Sequence, residues 1–371
     1  MQIIYIHRRE VHKRPPVITA VDNIYACGQK PILITTDINE QIQNRLNEKT
    51  KRIIVIPFKI SRYFWINAFS SMLWGIKAKK IISKIAKEED TVLWIEGNQA
   101  IDSLGARFIN KYKHILQLQE MFEFRDIKGL HLMRTLKKVM PTAIASTAPE
   151  YNRSQIFRAT FLLKEAPYVM YNKASFFPSD EELEQLSQKY SDITVKINGR
   201  KVILYQGALN GNRDLGNFIK ATSQLNSREY VTVLLGDNSA LVQEYKRINP
   251  ELIHIPYIPA PDYLYITSLA YIGILSYAPI GVNLIYCAPN KIFEYGAFGI
   301  PMLGNDLPGL RYTVANSRMG ALCDYDNPDS VLDAIEDIIK NYAEYSKNAK
   351  DYYNSIDNVK IVKSILANIK S

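Results

Sequence analysis

Thirteen short apolar runs, spaced for alternating strands and helices, constrain this 371-residue chain more than any other feature. In the first half they are Ile3–Ile6, Pro31–Thr35, Ile53–Phe58, Val92–Ile95, His114–Leu118, Ala143–Ala145 and Tyr168–Tyr171. In the second they are Lys201–Gln206, Val231–Leu235, Ile253–Ile258, Ile272–Leu275, Pro301–Leu303 and Ala321–Cys323. Runs this short, continuous and rich in β-branched residues suit parallel strands buried on both faces. Helical segments fit between them, so the expected fold class is α/β with parallel sheets. The length suffices for two domains. A polar, acidic stretch over 174–200 reads as their connection, giving domains over 1–172 and 173–351 and a terminal segment over 352–371.

Composition removes several function classes. Cys27, Cys287 and Cys323 lie far apart and form no Cys-x-x-Cys pair, which argues against a zinc site or a disulfide framework and fits a reducing cytosol. The first ten residues read as a strand and not as a signal peptide, so a cytoplasmic location is expected. No run approaches the roughly 20 apolar residues of a membrane span. A net charge of +9 is compatible with nucleic acid, anionic lipid or phosphorylated ligands. The zinc-finger, RRM and basic-zipper signatures are all missing, so nucleic acid is not expected.

Ligands of parallel α/β sheets bind beyond the carboxyl ends of strands. Two such ends stand out in the second half. After Lys201–Gln206 come Gly207 and Gly211, which permit close backbone turns, then Arg213 and a helix start near Asp214. Free N–H groups at that helix end and the guanidinium fork of Arg213 suit a diphosphate. The stretch from Asn283 to Gly309 reads as a polar loop, a short helix opened by Pro289 and Asn290, a stop at Gly299, Pro301, and a buried strand from Met302. Glu294 falls in the first turns of that helix, where an acid is favoured and can meet sugar hydroxyls. Asp324-Tyr325-Asp326 has a metal-binding form, but its place between a strand and a helix is explained by loop and capping roles; no metal is expected.

Residues 289–303 resemble the donor-site segment of GT-B glycosyltransferases, glycosyltransferase family 4 in particular. There, Pro-Asn-Lys, an apolar residue, Phe-Glu-Tyr and Gly-x-Pro precede an apolar strand. The loop from Gly207 to Arg213 resembles the family's strand, glycine, basic residue, helix arrangement, although Ala208 stands where many members carry Arg. The resemblance implies two facing Rossmann-like domains with an interdomain cleft, the terminal segment crossing back to the first domain. Glu294 matches the second acid of a Glu-x7-Glu motif, which holds ribose hydroxyls; Tyr286 stands at the first acid's place. Asn283, Tyr286, Asn290 and Lys291 are expected along the sugar-diphosphate pocket with Gly207 and Gly211, and Tyr257 in the segment bordering the base. Arg213 and Lys291 would stabilise the leaving phosphates. Activity, by the same likeness, is transfer of a sugar from a nucleotide diphosphate sugar, a UDP-sugar first, to a hydroxyl of a glycan or lipid-linked glycan. Retention, independence of metal and service in bacterial surface polysaccharide assembly are also implied. An epimerase or hydrolase on the same scaffold, or a non-catalytic sugar-binding protein, are the other readings.

The first half offers candidates for the acceptor. The loop after the first strand, His7 to Pro16, is unusually basic, and Arg8 and Arg9 either hold acceptor phosphates or belong to a solvated loop. Two strands end at acids, Glu96 and Glu120. Family members present an acid or a histidine near the second place, which makes Glu120 the catalytic candidate and Glu96 an acceptor-binding one. Residues 62–87 read as one helix, with Trp65, Phe69, Met72, Leu73 and Ile76 at helical spacing and Lys77, Lys80, Lys84 and Lys87 on one face. An anionic membrane surface is a candidate partner for it, and a core-facing helix with solvated lysines is the alternative.

Overall fold

The structure, a computed structural model, describes residues 1–58, 61–121, 127–210 and 213–370. Gly211 therefore lies outside the described residues. The chain divides into two compact units, residues 1–175 with 357–371 and residues 176–356.

Unit 1 holds a seven-stranded sheet: β1 Gln2–His7, β2 Ile32–Thr35, β3 Arg52–Val55, β4 Thr91–Glu96, β5 Lys113–Gln117, β6 Ala145–Ala148 and β7 Tyr168–Val169. The order is β3-β2-β1-β4-β5-β6-β7, and every pairing is parallel. Alternation along β1 explains why the run is apolar throughout. Ile4 and Ile6 enter a cluster with Trp74, Ala78, Ile82, Leu93 and Ile95. Ile3 and Tyr5 enter another with Val17, Trp94, Ile115 and the terminal helix residues Val362, Ile365 and Ile369. A strand with helices on both faces has no solvent side on which to place polar residues.

Unit 2 holds six parallel strands: β8 Lys201–Gln206, β9 Tyr230–Leu235, β10 Ile253–Ile255, β11 Ala270–Leu275, β12 Met302–Asn305 and β13 Gly320–Cys323. Their order is β10-β9-β8-β11-β12-β13. Each of the thirteen apolar runs overlaps a strand, Ala143–Ala145 by Ala145 alone. Both sheets run outward in two directions from a central pair, β1/β4 and β8/β11. That reversal of strand order leaves a crevice beyond the carboxyl ends of the central pair, the favoured ligand position in doubly wound folds.

Three segments differ from their sequence reading. The helix expected over 62–87 spans Phe64–Ile85. Its buried face is Trp74, Ala78 and Ile82, whereas Phe69, Met72, Leu73 and Ile76 are 57%, 53%, 40% and 53% exposed. These four residues thus face away from the core. Val331, Ile335, Ile338, Tyr342 and Tyr345 read as one helix face, but they sit on two helices, Pro328–Lys340 and Tyr342–Ser355, interrupted at Asn341. The helix expected near Asp214 starts at Gly216, because Asp214 Oδ1 accepts the Gly216 N–H in a local turn instead.

Candidate functional site

In unit 2 the switch point is walled by residues after β8 and β11. Gly207 ends β8 with φ +127°, a backbone conformation that side chains rarely adopt. A Cβ there would stand 3.2 Å from Lys291 Nζ and 3.5 Å from Arg213 Nη1. The segment that follows Arg213 is pinned twice. Tyr245 OH donates to Asp214 Oδ1 at 2.9 Å and accepts from the Leu215 N–H at 2.9 Å. Ser276, just past β11, donates to Asp214 O at 2.8 Å.

Two cations meet on one aromatic ring. Arg213 lies over the Tyr277 ring at 5.4 Å, and Lys291 Nζ lies over the same ring at 5.4 Å and over Tyr205 at 5.1 Å. Such stacking offsets part of the repulsion between like charges held close together. Lys291 Nζ also donates to Tyr277 OH at 3.4 Å. Tyr277 itself is held by Asn305 at the end of β12, whose amide receives the Tyr277 N–H at 3.1 Å and donates back to the Tyr277 carbonyl. Burial, then the charge of Arg213, push the Lys291 ammonium down to about 7, against the opposing pull of Glu294. A cluster built this way is short of negative charge.

Glu294 lies three residues on, in the helix Lys291–Ala297, and is buried. Gln206 Nε2 donates to its Oε2 at 2.6 Å and Tyr263 OH to its Oε1 at 2.7 Å. Thr267 in turn donates to Gln206 Oε1 at 2.7 Å. Burial raises the Glu294 carboxyl, while Tyr263, Lys291 and Gln206 hold it down. Burial and Glu294 also push the Tyr263 hydroxyl well up, so it stays a donor. Each carboxylate oxygen retains a second lone pair for a ligand hydroxyl. The helix is placed by small residues around it. Gly299 takes φ +65° beside Ser346, and Tyr295 packs so closely on Gly273 of β11 that a Cβ there would fall 2.5 Å from the ring.

Gly207, Arg213 and Lys291 are thus brought together, with Glu294 on the same helix as Lys291. Asn290 is the half-buried residue that precedes this helix. Asn283 and Tyr286 are half-buried on and just after the short helix Val282–Ile285. Tyr257 stands 67% exposed after β10, its backbone N–H bonded to Asp237 at 2.9 Å. Tyr205, Gln206, Tyr263, Tyr277 and Asn305 escaped the sequence reading. Three of them, Gln206, Tyr277 and Asn305, sit at or just past strand ends, and that position was the available signal.

Unit 1 has its own pocket beyond β1 and β4, lined by His7, Arg9, Arg14, Glu96, Gln119 and Glu120 among others. Arg9, Glu96 and Glu120 fall there, and Arg14 pairs with Glu120 at 3.4 Å. Arg8 points elsewhere. Its guanidinium hydrogen-bonds Ser71 and Ser103 and lies over Phe58 at 4.9 Å, anchoring two helices to β1. Glu150 caps the helix Tyr151–Phe161 by accepting the Arg153 N–H at 3.0 Å.

Residues 187–355 match the family model described as Glycosyl transferases group 1. The chain has the GT-B fold, and residues 187–355 carry a glycosyl transferases group 1 domain. Among solved structures, the chain is similar to HepE of Anabaena in complex with UDP, at TM-score 0.72 and 15% identity, with 100% of each chain covered. It is also similar to sucrose-phosphate synthase of Thermosynechococcus elongatus, at TM-score 0.68 and 14% identity, covering 100% of this chain and 98% of that one. WaaG, a glycosyltransferase involved in lipopolysaccharide biosynthesis, aligns at TM-score 0.63 and 12% identity, over 98% of this chain and 99% of that one. No curated protein matches the sequence.

Proposed function

We propose that the chain is a glycosyltransferase that moves a sugar from a UDP-sugar to a hydroxyl of a glycan or lipid-linked glycan, in bacterial surface polysaccharide assembly. The observation that carries the donor half is the pair Arg213 and Lys291, stacked on Tyr277 and facing Gly207 at the unit 2 switch point. A nucleoside diphosphate supplies the negative charge this cluster lacks. As the bond from the anomeric carbon to the diphosphate oxygen breaks, its electron pair stays on that oxygen, and the two cations stabilise the charge that develops. They supply what a metal supplies elsewhere, so turnover is expected to survive a chelator. Glu294 would take ribose hydroxyls through its remaining lone pairs. UDP in the HepE structure, and UDP-glucose in another HepE structure, support uridine as the base. The role of WaaG supports the pathway class.

The exposed Phe69, Met72, Leu73 and Ile76, with Lys77, Lys80, Lys84 and Lys87, support peripheral attachment to an anionic bilayer on the cytoplasmic side. Among the described residues no helix is long and apolar enough to cross a membrane.

Thermal stability titrated with UDP, GDP and dTDP tests the donor reading. A nucleotide at a hundred times its dissociation constant adds about 2.7 kcal/mol. Stabilisation by UDP, lost in Arg213→Ala, is the expected result. A folded protein that responds to none of the three refutes it.

A further inference from the structure

Unit 1 carries a second cavity that no part of the sugar-transfer reading uses. It holds about 470 Å³ and opens among three helices, Phe64–Ile85, Ala106–Ile109 and Ile127–Val139. Small-ligand sites commonly enclose about 300–1,000 Å³. The cavity shares no lining residue with the pocket beyond β1 and β4, and none with the cluster around Arg213 and Lys291. Its three helices pack Trp74, Ala78, Ile82, Ile109, Leu136 and Val139 into the cluster of Ile4 and Ile6, so its walls are fixed by core contacts.

The lining is one-sided in charge. Lys79 comes from the first helix, Arg107 from the second, Lys111 from the turn after it, and Arg134 and Lys138 from the third. Arg134 and Lys138 stand one helical turn apart and share a face. Among the described residues no acid lines the cavity, and none of the five cations has an acid partner. Cations elsewhere in the chain do. Arg45 and Lys49 each meet Asp22 at 2.7 Å, Lys201 meets Glu229 at 2.8 Å, and Arg318 meets Glu344 at 2.7 Å. Asp102, on the adjoining helix Asn98–Leu104, is taken by His131 of the rim, Nδ1 to Oδ1 at 2.7 Å. Lys79 Nζ rests over the Phe108 ring at 6.0 Å, which turns it toward the cavity wall without neutralising it. Thr135 also lines the cavity; it is 5% exposed, and its hydroxyl makes no hydrogen bond among the described residues.

Five like charges from several elements, held round one concavity without counter-charge, repel one another and focus positive potential inside it. A ligand with several negative oxygens cancels that repulsion. Guanidinium forks match phosphate through paired hydrogen bonds, and lysine ammonium groups serve as point charges beside them. We propose that this cavity is a binding site for a phosphate-bearing ligand, with Arg107 and Arg134 on the phosphate oxygens and Lys79, Lys111 and Lys138 balancing the charge. The site is separate from the donor cluster and does not rest on the sugar-transfer reading. Such a phosphate comes from a soluble compound or from a lipid headgroup. The chemistry of binding is the same for both. Lys79 follows the exposed Met72 and Ile76 by seven and three residues on one helix face, so the second source is within reach of an apolar surface.

Calorimetry of the full chain with inorganic pyrophosphate tests the site, with UDP at saturation to occupy the unit 2 cluster. Binding of one pyrophosphate per chain is expected. Arg107→Gln combined with Arg134→Gln should weaken it by about tenfold or more, because two charge-assisted forks are lost, and should leave UDP affinity unchanged. Arg158→Gln combined with Lys164→Gln removes two exposed cations of the same unit outside the cavity, and pyrophosphate affinity should stay as it was. Without ligand, the Arg107 and Arg134 double variant should melt no lower than wild type, since repulsion is relieved; lost binding is then not lost folding. His131 gives a local signal. Its ring resonances, assigned by their loss in His131→Gln, should move as pyrophosphate saturates the wild-type chain. Flotation separates the two sources. Phosphatidic acid in phosphatidylcholine vesicles that carries wild type but not the Arg107 and Arg134 double variant assigns a lipid phosphate. Equal flotation of both, with pyrophosphate binding lost in the variant, assigns a soluble one. A double variant that changes neither pyrophosphate affinity nor flotation overturns the proposal. So does equal weakening by both pairs of substitutions, which is what diffuse surface charge would give.

Discussion

Lys291 is the residue on which charge and burial pull hardest against each other. Burial and Arg213 bring its ammonium down to about 7 in the free protein. A bound diphosphate adds opposite charge and raises it again. Below pH 7 Lys291 is charged both free and bound, so its contribution to affinity does not change with pH. Above pH 7 the free side chain is neutral and binding must take up a proton, so affinity falls by up to about tenfold per pH unit until the bound-state value is passed. Between pH 7 and 9 the terminal phosphate, with a pKa of about 6, is already ionised and adds no slope of its own. Calorimetry of UDP binding in buffers of different ionisation enthalpy should show proton uptake at pH 8.5, absent in Lys291→Met. A slope that persists in Lys291→Met would assign the effect elsewhere. Arg213, Lys291 and Glu294 were legible in the sequence because they sit at fixed spacings around glycines and a helix start. Tyr277 and Asn305 were not, because an ordinary tyrosine and asparagine acquire meaning only when β11 and β12 pair. The hydrogen bond between His7 Nδ1 and Glu96 Oε2 spans 89 residues of chain and is likewise made by strand pairing.

At the scale of elements, buried parallel strands leave the clearest trace, since both faces demand apolar side chains. That is why all thirteen strands appear as continuous runs, whereas helices, with one wet face, had blurred limits. The helix Phe64–Ile85 shows the difficulty: two apolar faces are present, and spacing alone does not tell which one the sheet covers. Trp74, Ala78 and Ile82 are covered; Phe69, Met72, Leu73 and Ile76 are not. Flotation with phosphatidylglycerol vesicles should therefore carry the protein upward, and phosphatidylcholine vesicles should not. Replacing Lys77, Lys80 and Lys84 with Gln should abolish flotation, because each basic residue near an anionic surface contributes about 1 kcal/mol. Equal flotation on both lipids would refute the electrostatic part. A second element-level prediction concerns the helix Lys291–Ala297. Gly273→Ala places a methyl group 2.5 Å from the Tyr295 ring. Overpacking of this kind costs about 1–3 kcal/mol, so the denaturation midpoint should drop, and UDP affinity should weaken as Lys291 and Glu294 shift with their helix. A midpoint equal to wild type would mean that Tyr295 moves aside freely.

At the scale of the whole molecule, the same strand order occurs twice, and in each unit the polar residues gather where the order reverses. Sequence patterning gives the number of strands but not this order, because every run is apolar on both faces and none is marked as central. The chain also ends in the unit where it began. Val362, Ile365, Leu366 and Ile369 of the helix Asn358–Lys370 enter the cluster formed with Tyr5 and Trp94. Asn358 Nδ2 donates to Tyr171 O at 2.8 Å, and Lys113 Nζ donates to Ile369 O at 3.2 Å. Burying side chains of this size is worth about 1.5–3 kcal/mol each, so four of them together rival the 5–15 kcal/mol that holds a typical domain folded. Truncation after Ile356 should therefore unfold unit 1 or leave it with a much lower transition temperature. The residues proposed to bind UDP all belong to residues 176–356, so unit 2 should still melt cooperatively and still be stabilised by UDP. Calorimetry of the truncated chain, with and without UDP, separates the outcomes. Loss of one transition with a UDP-sensitive one remaining supports independent units. Loss of both would show that unit 2 draws its stability from unit 1.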